Sequence, residues 1–391
     1  MPDLEARFPS EDAVPARRLL SMAIADFARK VEDSLNRRGT VRRVEQGWRP
    51  SIIGFTGYGS TSSLHVLGRV VMADPKERSL FKSFKLPPST HTVLGQVQDA
   101  FEQAQKLSET AQRGWRQFFT TQVGYLPVTV HAGDKVISTK TDRSGYIDVL
   151  VQDHGLEPGW HEVEIEAAAA EPIKAKVLIV RPEAKRGLIS DIDDTVMVTW
   201  LPRAALAAWN SWVRHTNTRK PVPGMAEFYD ELLSDTPDAP VFYLSTGAWN
   251  TLPTLEVFLT LNGFPSGPLL LTDWGPTPTS IFRSGQEHKK TQLRNLIITF
   301  PEIEWYLVGD DGQHDPLIFD ELAREHPRYL AGIAIRQLNP VEQVLSHGMT
   351  EAIEDRRSSD DEARYGVPTI YGQDGFQLMS ALKSFRKQKS N

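Results

Sequence analysis

Gly187-Leu188-Ile189-Ser190 is a short apolar stretch that runs directly into Asp191-Ile192-Asp193-Asp194-Thr195. Three carboxylates at the end of a strand repel one another and lose water on folding, which is costly unless a cation compensates. Oxygen ligands suit magnesium, which binds one or two carboxylates and keeps waters or phosphate oxygens in its shell. With a cation in place, Asp191 can act as nucleophile toward phosphorus. Asp193, two residues on, can protonate a leaving oxygen and later deprotonate water. The same five residues also suit an ordinary helix start, so the choice between the two readings rests on the rest of the chain.

After Thr195, strands alternate with helices. The apolar pattern predicts strands at Val241–Leu244, Leu269–Leu271, Trp305–Val308 and Ala331–Ile335. It predicts helices at Met225–Leu233, Leu252–Asn262, His288–Thr299 and Pro316–Glu325. Such alternation implies an α/β domain, a parallel sheet with helices on both faces, whose ligands bind at the carboxyl ends of the strands. Three later segments place complements there. Ser245-Thr246-Gly247 ends a strand and offers hydroxyl and N–H groups to phosphate oxygens. His288-Lys289-Lys290 opens a helix, where a lysine is electrostatically misplaced unless an anion faces it. Gly309-Asp310-Asp311-Gly312-Gln313-His314-Asp315 succeeds another strand, so Asp310 would complete a metal site with Asp191 and Asp193. Asp315 would ligate the metal through water or orient Lys289, and Thr195 would support the first acidic cluster. Each segment alone is an ordinary turn or cap; their order along the chain is what points to one site. Neighbouring Lys289 and Lys290 are not separated by this reading.

These residues resemble the four motifs of the haloacid dehalogenase superfamily: Asp191/Asp193/Thr195, Ser245, Lys289, and Asp310/Asp315. The second acid, Asp193, implies phosphoryl transfer rather than carbon–halogen chemistry. Ser190–Thr195, Trp249, Phe300-Pro301, Gly309-Asp310-x-Gly312-Gln313-x-Asp315-Pro316 and Ile335-Arg336 look more closely like the actin-patch-associated phosphatidate phosphatase catalytic domain family. The likeness covers about residues 186 to 337. It implies a Rossmannoid, haloacid dehalogenase-like sheet, Mg2+ as cofactor, an aspartyl-phosphate on Asp191, and phosphatidate as substrate, hydrolysed to diacylglycerol. Ser245-Thr246-Gly247-Ala248-Trp249 departs from that family's usual Ser-Asn-Ser-Pro-Trp, and Asp311 and Leu317 replace its usual Ser and Glu. Two other readings stay open: a phosphatase for a soluble phosphoester or phosphoprotein, and a non-catalytic lipid- or protein-binding module.

The chain has 391 residues, too many for one ordinary core. Its first part, 1–49, contains helical spacing over 10–38 with many arginines, a pattern that suits either packing or an anionic membrane surface. Residues 50–181 read as a β-sandwich of short strands with a helical insertion around 91–121. The α/β domain is expected over 185–345, with little room for a cap, followed by a charged tail over 346–391, loose over 350–365 and frayed from Lys383 onward. Trp200, Leu201, Trp209, Trp212 and Val213 come soon after the nucleophile and suit either a flap core or a bilayer interface. The net charge of -6 excludes a strongly basic nucleic-acid binder. The absence of cysteine excludes disulfides, zinc–thiolate sites and thiol nucleophiles. With no leader pattern and no apolar run of about 18 residues, the expectation is a cytoplasmic protein that meets a phospholipid substrate peripherally, at a membrane surface.

Overall fold

The computed structural model describes residues 44–73, 122–198, 220–272, 285–312, 314–339, 342 and 364–390. The expected helix over 10–38, the insertion at 91–121 and the aromatic cluster from Trp200 to Val213 lie outside the described residues.

Two sheets organise the molecule. The first contains β1 (Arg49–Gly54), β2 (Gly57–Gly59), β3 (Ser63–Ala73), β4 (Pro127–Ala132), β5 (Lys135–Lys140), β6 (Tyr146–Gln152), β7 (Gly159–Ala167) and β8 (Ile173–Ile179). Its hydrogen bonds run in the order β1-β3-β2-β8-β7-β4-β5, with β6 on β3. All pairs are antiparallel except β2 with β8. The strands expected as a sandwich are therefore joined in one hydrogen-bonded network of eight. Alternate residues such as Val128 and Val130, Val163 and Ile165, and Val149 and Val151 share one core, as period-two strands require.

The second sheet has six strands in the order β11-β10-β9-β12-β13-β14, every pair parallel. These are β9 (Arg186–Asp191), β10 (Val241–Ala248), β11 (Leu269–Thr272), β12 (Glu304–Asp310), β13 (Leu330–Arg336) and β14 (Thr369–Gly372). The helices are α1 (Met225–Leu232), α2 (Leu252–Leu261), α3 (Gly285–Thr299), α4 (Asp315–Glu325) and α5 (Gly375–Ser390). Parallel neighbours need crossovers; α1 to α4 lie in the connections from β9 to β13, and α5 follows the last strand. Leu188, Tyr243 and Val308 turn to one face with Phe228 of α1, Leu255 of α2 and Leu378 of α5. Ile189, Phe242 and Leu307 turn to the other with Leu293 of α3 and Ile318 of α4.

The C-terminal part differs from its expectation. Part of the segment expected as a charged tail is the edge strand β14, paired in register with β13 from Ile333↔Thr369 to Arg336↔Gly372. The 16 residues of α5 come after it. Leu378 and Leu382 are buried in the same core as α1, so burial of an apolar stripe outweighs the high local charge. No helix among the described residues is long and apolar enough to cross a membrane.

Candidate active site

Sheet register brings the acids together. β9 lies between β10 and β12, with Leu244 opposite Asp191 and Val308 opposite Ser190. Asp191, Ser245 and Asp310 therefore leave the sheet at neighbouring carboxyl ends. From β9 the chain winds outward to β10 and β11, then returns to β12 on the other side. This reversal of strand order is where an open parallel sheet forms a crevice.

Lys289 lies inside this cluster. Its Nζ is 2.7 Å from Asp191 Oδ1 and 2.6 Å from Asp315 Oδ1, and all three side chains are buried. Lys290 instead pairs with Glu321 in a partly exposed contact at 2.5 Å. The helix period separates the two: Lys289 shares the buried stripe of α3 with Leu293, Leu296 and Ile297. That spacing was present in the sequence and was sufficient to distinguish them.

Asp191, Asp310 and Asp315 each offer an oxygen within 4.8 Å of the others. Asp193 is not in this group of three. Its Oδ2 accepts a 3.0 Å hydrogen bond from Ser245 Oγ, on the β10 side. The metal set expected from sequence thus shares Asp191 and Asp310 with the observed cluster, while Asp315 stands there in place of Asp193. The cause is local geometry: Pro316 opens α4 immediately after β12, and the turn points Asp315 back at the strand. Gly309 makes room for it, since a Cβ there would lie 2.6 Å from Asp315 Oδ2.

Around the cluster, Asp310 Oδ1 accepts the Gly312 N–H at 2.8 Å, and its Oδ2 faces Thr195 Oγ1 at 3.4 Å. The Ser190 hydroxyl donates to the Asp191 carbonyl at 2.6 Å, so the contact with Tyr229 at 2.5 Å has the phenol as donor. Arg336 is buried and donates to the Asp194 carbonyl. Thr246 is half-buried, and its carbonyl accepts from Thr272 Oγ1 at 3.0 Å. Tyr229 was missed in sequence because its α1 position reads as core; only the fold turns its hydroxyl toward β9.

Burial pushes Asp191 well above the usual carboxylate range; Lys289 opposes the shift, and Asp315 and Asp193 add to it. Burial likewise raises Asp310, reinforced by Asp315 and Asp191. For Lys289, burial alone favours the neutral amine, but Asp191, Asp315 and Asp310 overcome it and hold the ammonium. Three carboxylates face one ammonium. Among the described residues, Asp191 Oδ2 and Asp315 Oδ2 are buried without a hydrogen-bond partner. Orphaned carboxylate oxygens and an excess of negative charge are what a divalent cation would satisfy, so the residues fit one.

Residues 186–337 match the family model described as phosphatidate phosphatase APP1, catalytic domain. The phosphatidate phosphatase APP1 of Saccharomyces cerevisiae is 30% identical over 163 residues, covering 41% of this chain and 27% of the yeast protein. An uncharacterized protein of Schizosaccharomyces pombe is 24% identical over 262 residues, 63% of this chain and 42% of that protein. The chain thus spans less than half the length of either relative. Among solved structures, a carbohydrate acetylesterase from Xanthomonas citri aligns with 57% of this chain and 68% of its own, at 10% identity and a TM-score of 0.22. That likeness is too slight to bear on fold or function. The matched segment contains all four acidic and basic strand-end motifs, and over residues 186–337 the chain is similar to the APP1-type phosphatidate phosphatase catalytic domain.

Proposed function

We propose that this protein is a phosphatase of phosphatidate, releasing diacylglycerol and inorganic phosphate through an aspartyl-phosphate on Asp191. The observation that carries the reading is Lys289 buried between Asp191 and Asp315, with Asp310 alongside, at the carboxyl ends of parallel strands in the matched segment. The architecture fits the haloacid dehalogenase type, a parallel sheet covered on both faces.

Asp191 and Asp310, common to the sequence reading and the observed cluster, would hold Mg2+, with Asp315 beside them. When bound, the ion would neutralise charge on the phosphoryl oxygens, which is where most rate enhancement in phosphoryl transfer arises. The protein's own groups divide the remaining work. Lys289 is held as an ammonium by its carboxylate neighbours and is available to the same oxygens. Asp191 Oδ1 is fixed by Lys289, which leaves Oδ2 to attack phosphorus in line. The Ser245 hydroxyl orients Asp193. Asp193 protonates the departing glycerol oxygen as the P–O bond breaks. It then takes a proton from the water that hydrolyses the aspartyl-phosphate, restoring Asp191. Thr246, between Ser245 and Gly247 at the end of β10, offers its hydroxyl to the phosphate. A phosphatidate headgroup would be approached from the aqueous side of a membrane surface.

The test is a substrate panel in Mg2+, with phosphatidate in mixed micelles beside soluble phosphomonoesters and Asp191→Asn as the blank. Turnover of phosphatidate with the higher kcat/KM is expected. A kcat/KM favouring the soluble esters would move the assignment to a soluble substrate, and no turnover in the parent would remove it.

A further inference from the structure

Phe55 belongs to the eight-stranded sheet by sequence, but it is buried in the core of the parallel-sheet domain. It sits between β1 and β2, and its N–H donates to the Leu67 carbonyl of β3 at 2.9 Å. Its ring stacks on Trp249 with centroids 4.2 Å apart and planes at 5°. Tyr146 of β6 packs on Phe55 at 6.4 Å, and the Arg69 guanidinium lies 4.5 Å from the centroid of the Tyr146 ring. Phe55 is thus braced by β3 and β6. Both partners in the stack are almost fully buried, Phe55 at 2% and Trp249 at 8% exposure.

Trp249 directly follows β10, whose last residues include Ser245–Gly247, and begins the 3-10 turn Trp249–Thr251 that leads into α2. This end of β10 is held at the site by Ser245 Oγ, which donates to Asp193 and accepts the Gly247 N–H at 2.9 Å. At the other end, Trp249 lies against Phe55. A second tie comes one residue on, where Thr56 Oγ1 donates to Glu256 Oε1 of α2 at 3.2 Å. Tyr58 adds an edge-on contact with Phe242 of β10 at 5.2 Å. Three residues of one short stretch, Phe55, Thr56 and Tyr58, therefore touch β10 and the segments just after it.

We propose that Phe55 is a positioning residue for the phosphate-binding Ser245–Gly247 end of β10, acting through Trp249. On this view the eight-stranded sheet is a working part of the catalytic site, not a separate binding module. Stacked aromatic planes fix both distance and tilt. A strand end anchored at Asp193 on one side and at this stack on the other holds Thr246, which lies between the anchors, in one geometry. Its kinetic consequence rests on the phosphatase reading above; its structural consequence does not.

The test compares full-length Phe55→Ala, Phe55→Leu and, as a control, Ile165→Ala, which removes a buried side chain from the first sheet's own core. Hydrogen exchange over residues 245–252 is measured first. Faster exchange is expected in Phe55→Ala, an intermediate rate in Phe55→Leu, and the parent rate in Ile165→Ala. Turnover is measured next on phosphatidate and on a soluble phosphomonoester. Loss of kcat/KM by about ten-fold or more is expected in Phe55→Ala, by the same factor on both substrates because they share the phosphoryl group. Phe55→Leu should recover part of it. Should Phe55→Ala not fold, Phe55→Leu carries the comparison. Parent-like exchange over 245–252 in the Phe55 variants overturns the proposal, as does an equal change in Ile165→Ala. A parent without turnover removes the phosphatase reading, while the exchange rates still decide the positioning role.

Discussion

Arg336 Nη1 donates a 2.8 Å hydrogen bond to the backbone carbonyl of Asp194, the residue directly after Asp193. Asp194 sits at φ 58°, in the left-handed region that non-glycine residues seldom occupy. The same guanidinium reaches the Gln373 carbonyl at 3.0 Å and Glu342 Oε1 at 2.7 Å. One buried side chain thus joins the turn carrying Asp193 to the end of β14. Arg336→Ala leaves a backbone carbonyl and a carboxylate without their partner, and should cost about 3–5 kcal/mol in urea unfolding. Arg336→Lys cannot reproduce the fork and should recover only part of that loss.

Lys289 and Lys290 give opposite expectations. Lys289→Met removes the ammonium between Asp191 and Asp315, and kcat should fall by about 100-fold or more. Lys290→Met breaks a contact with Glu321 that solvent screens, and turnover should stay at the parent level. Steady-state kinetics on one substrate separate them; equal losses would contradict the placement of Lys289.

Gly309→Ala tests the approach of Asp315 to β12. The added methyl would fall 2.6 Å from Asp315 Oδ2 and 2.8 Å from Phe319. Overpacking of this kind costs about 1–3 kcal/mol. Because Asp315 must move, Mg2+ should raise Tm less in this variant than in the parent. Thermal unfolding with and without Mg2+ measures both effects, and Asp310→Ala should abolish the Mg2+ response.

Glu256 gives the interface between the sheets a pH dependence. Burial raises its pKa from 4.5 to about 6, against smaller opposing effects of the Thr56 hydrogen bond and Lys176. The folded-state value exceeds the unfolded one, so the protonated form is favoured by folding. Its stabilisation is complete below pH 4.5 and is lost as pH rises through about 6. Glu256→Gln mimics the protonated form. It should match the parent near pH 4.5 and exceed it by about 2 kcal/mol at pH 7.5. Equal stability at pH 7.5 would show that Glu256 ionises there without cost.

Asp191, Ser245, Lys289 and Asp310 could be found in the sequence because each adjoins or faces an apolar strand of clear period. A residue at a strand end is placed by the strand. Asp315 could be read either as a ligand through water or as the partner of Lys289, and which oxygen goes where depends on how sharply the chain turns into α4. Phe55 could not be found: its partner Trp249 is 194 positions away, and only the docking of two sheets joins them. β2 escaped notice because two of its three residues are glycine, which lack the β-branched or aromatic signal. β14 escaped because four residues beside a charged stretch do not outweigh it.

The family match stops at residue 337, yet hydrogen bonding of the parallel sheet continues to Gly372. A protein expressed from the matched boundaries alone would leave β13 as a naked edge, with unpaired amides and carbonyls inviting another chain to add on. It would also strip α5 from α1 and expose the pocket that Leu378 and Leu382 fill. Excision by homology would therefore yield an aggregating fragment, and the smallest soluble unit must reach into the segment that composition alone would have trimmed away.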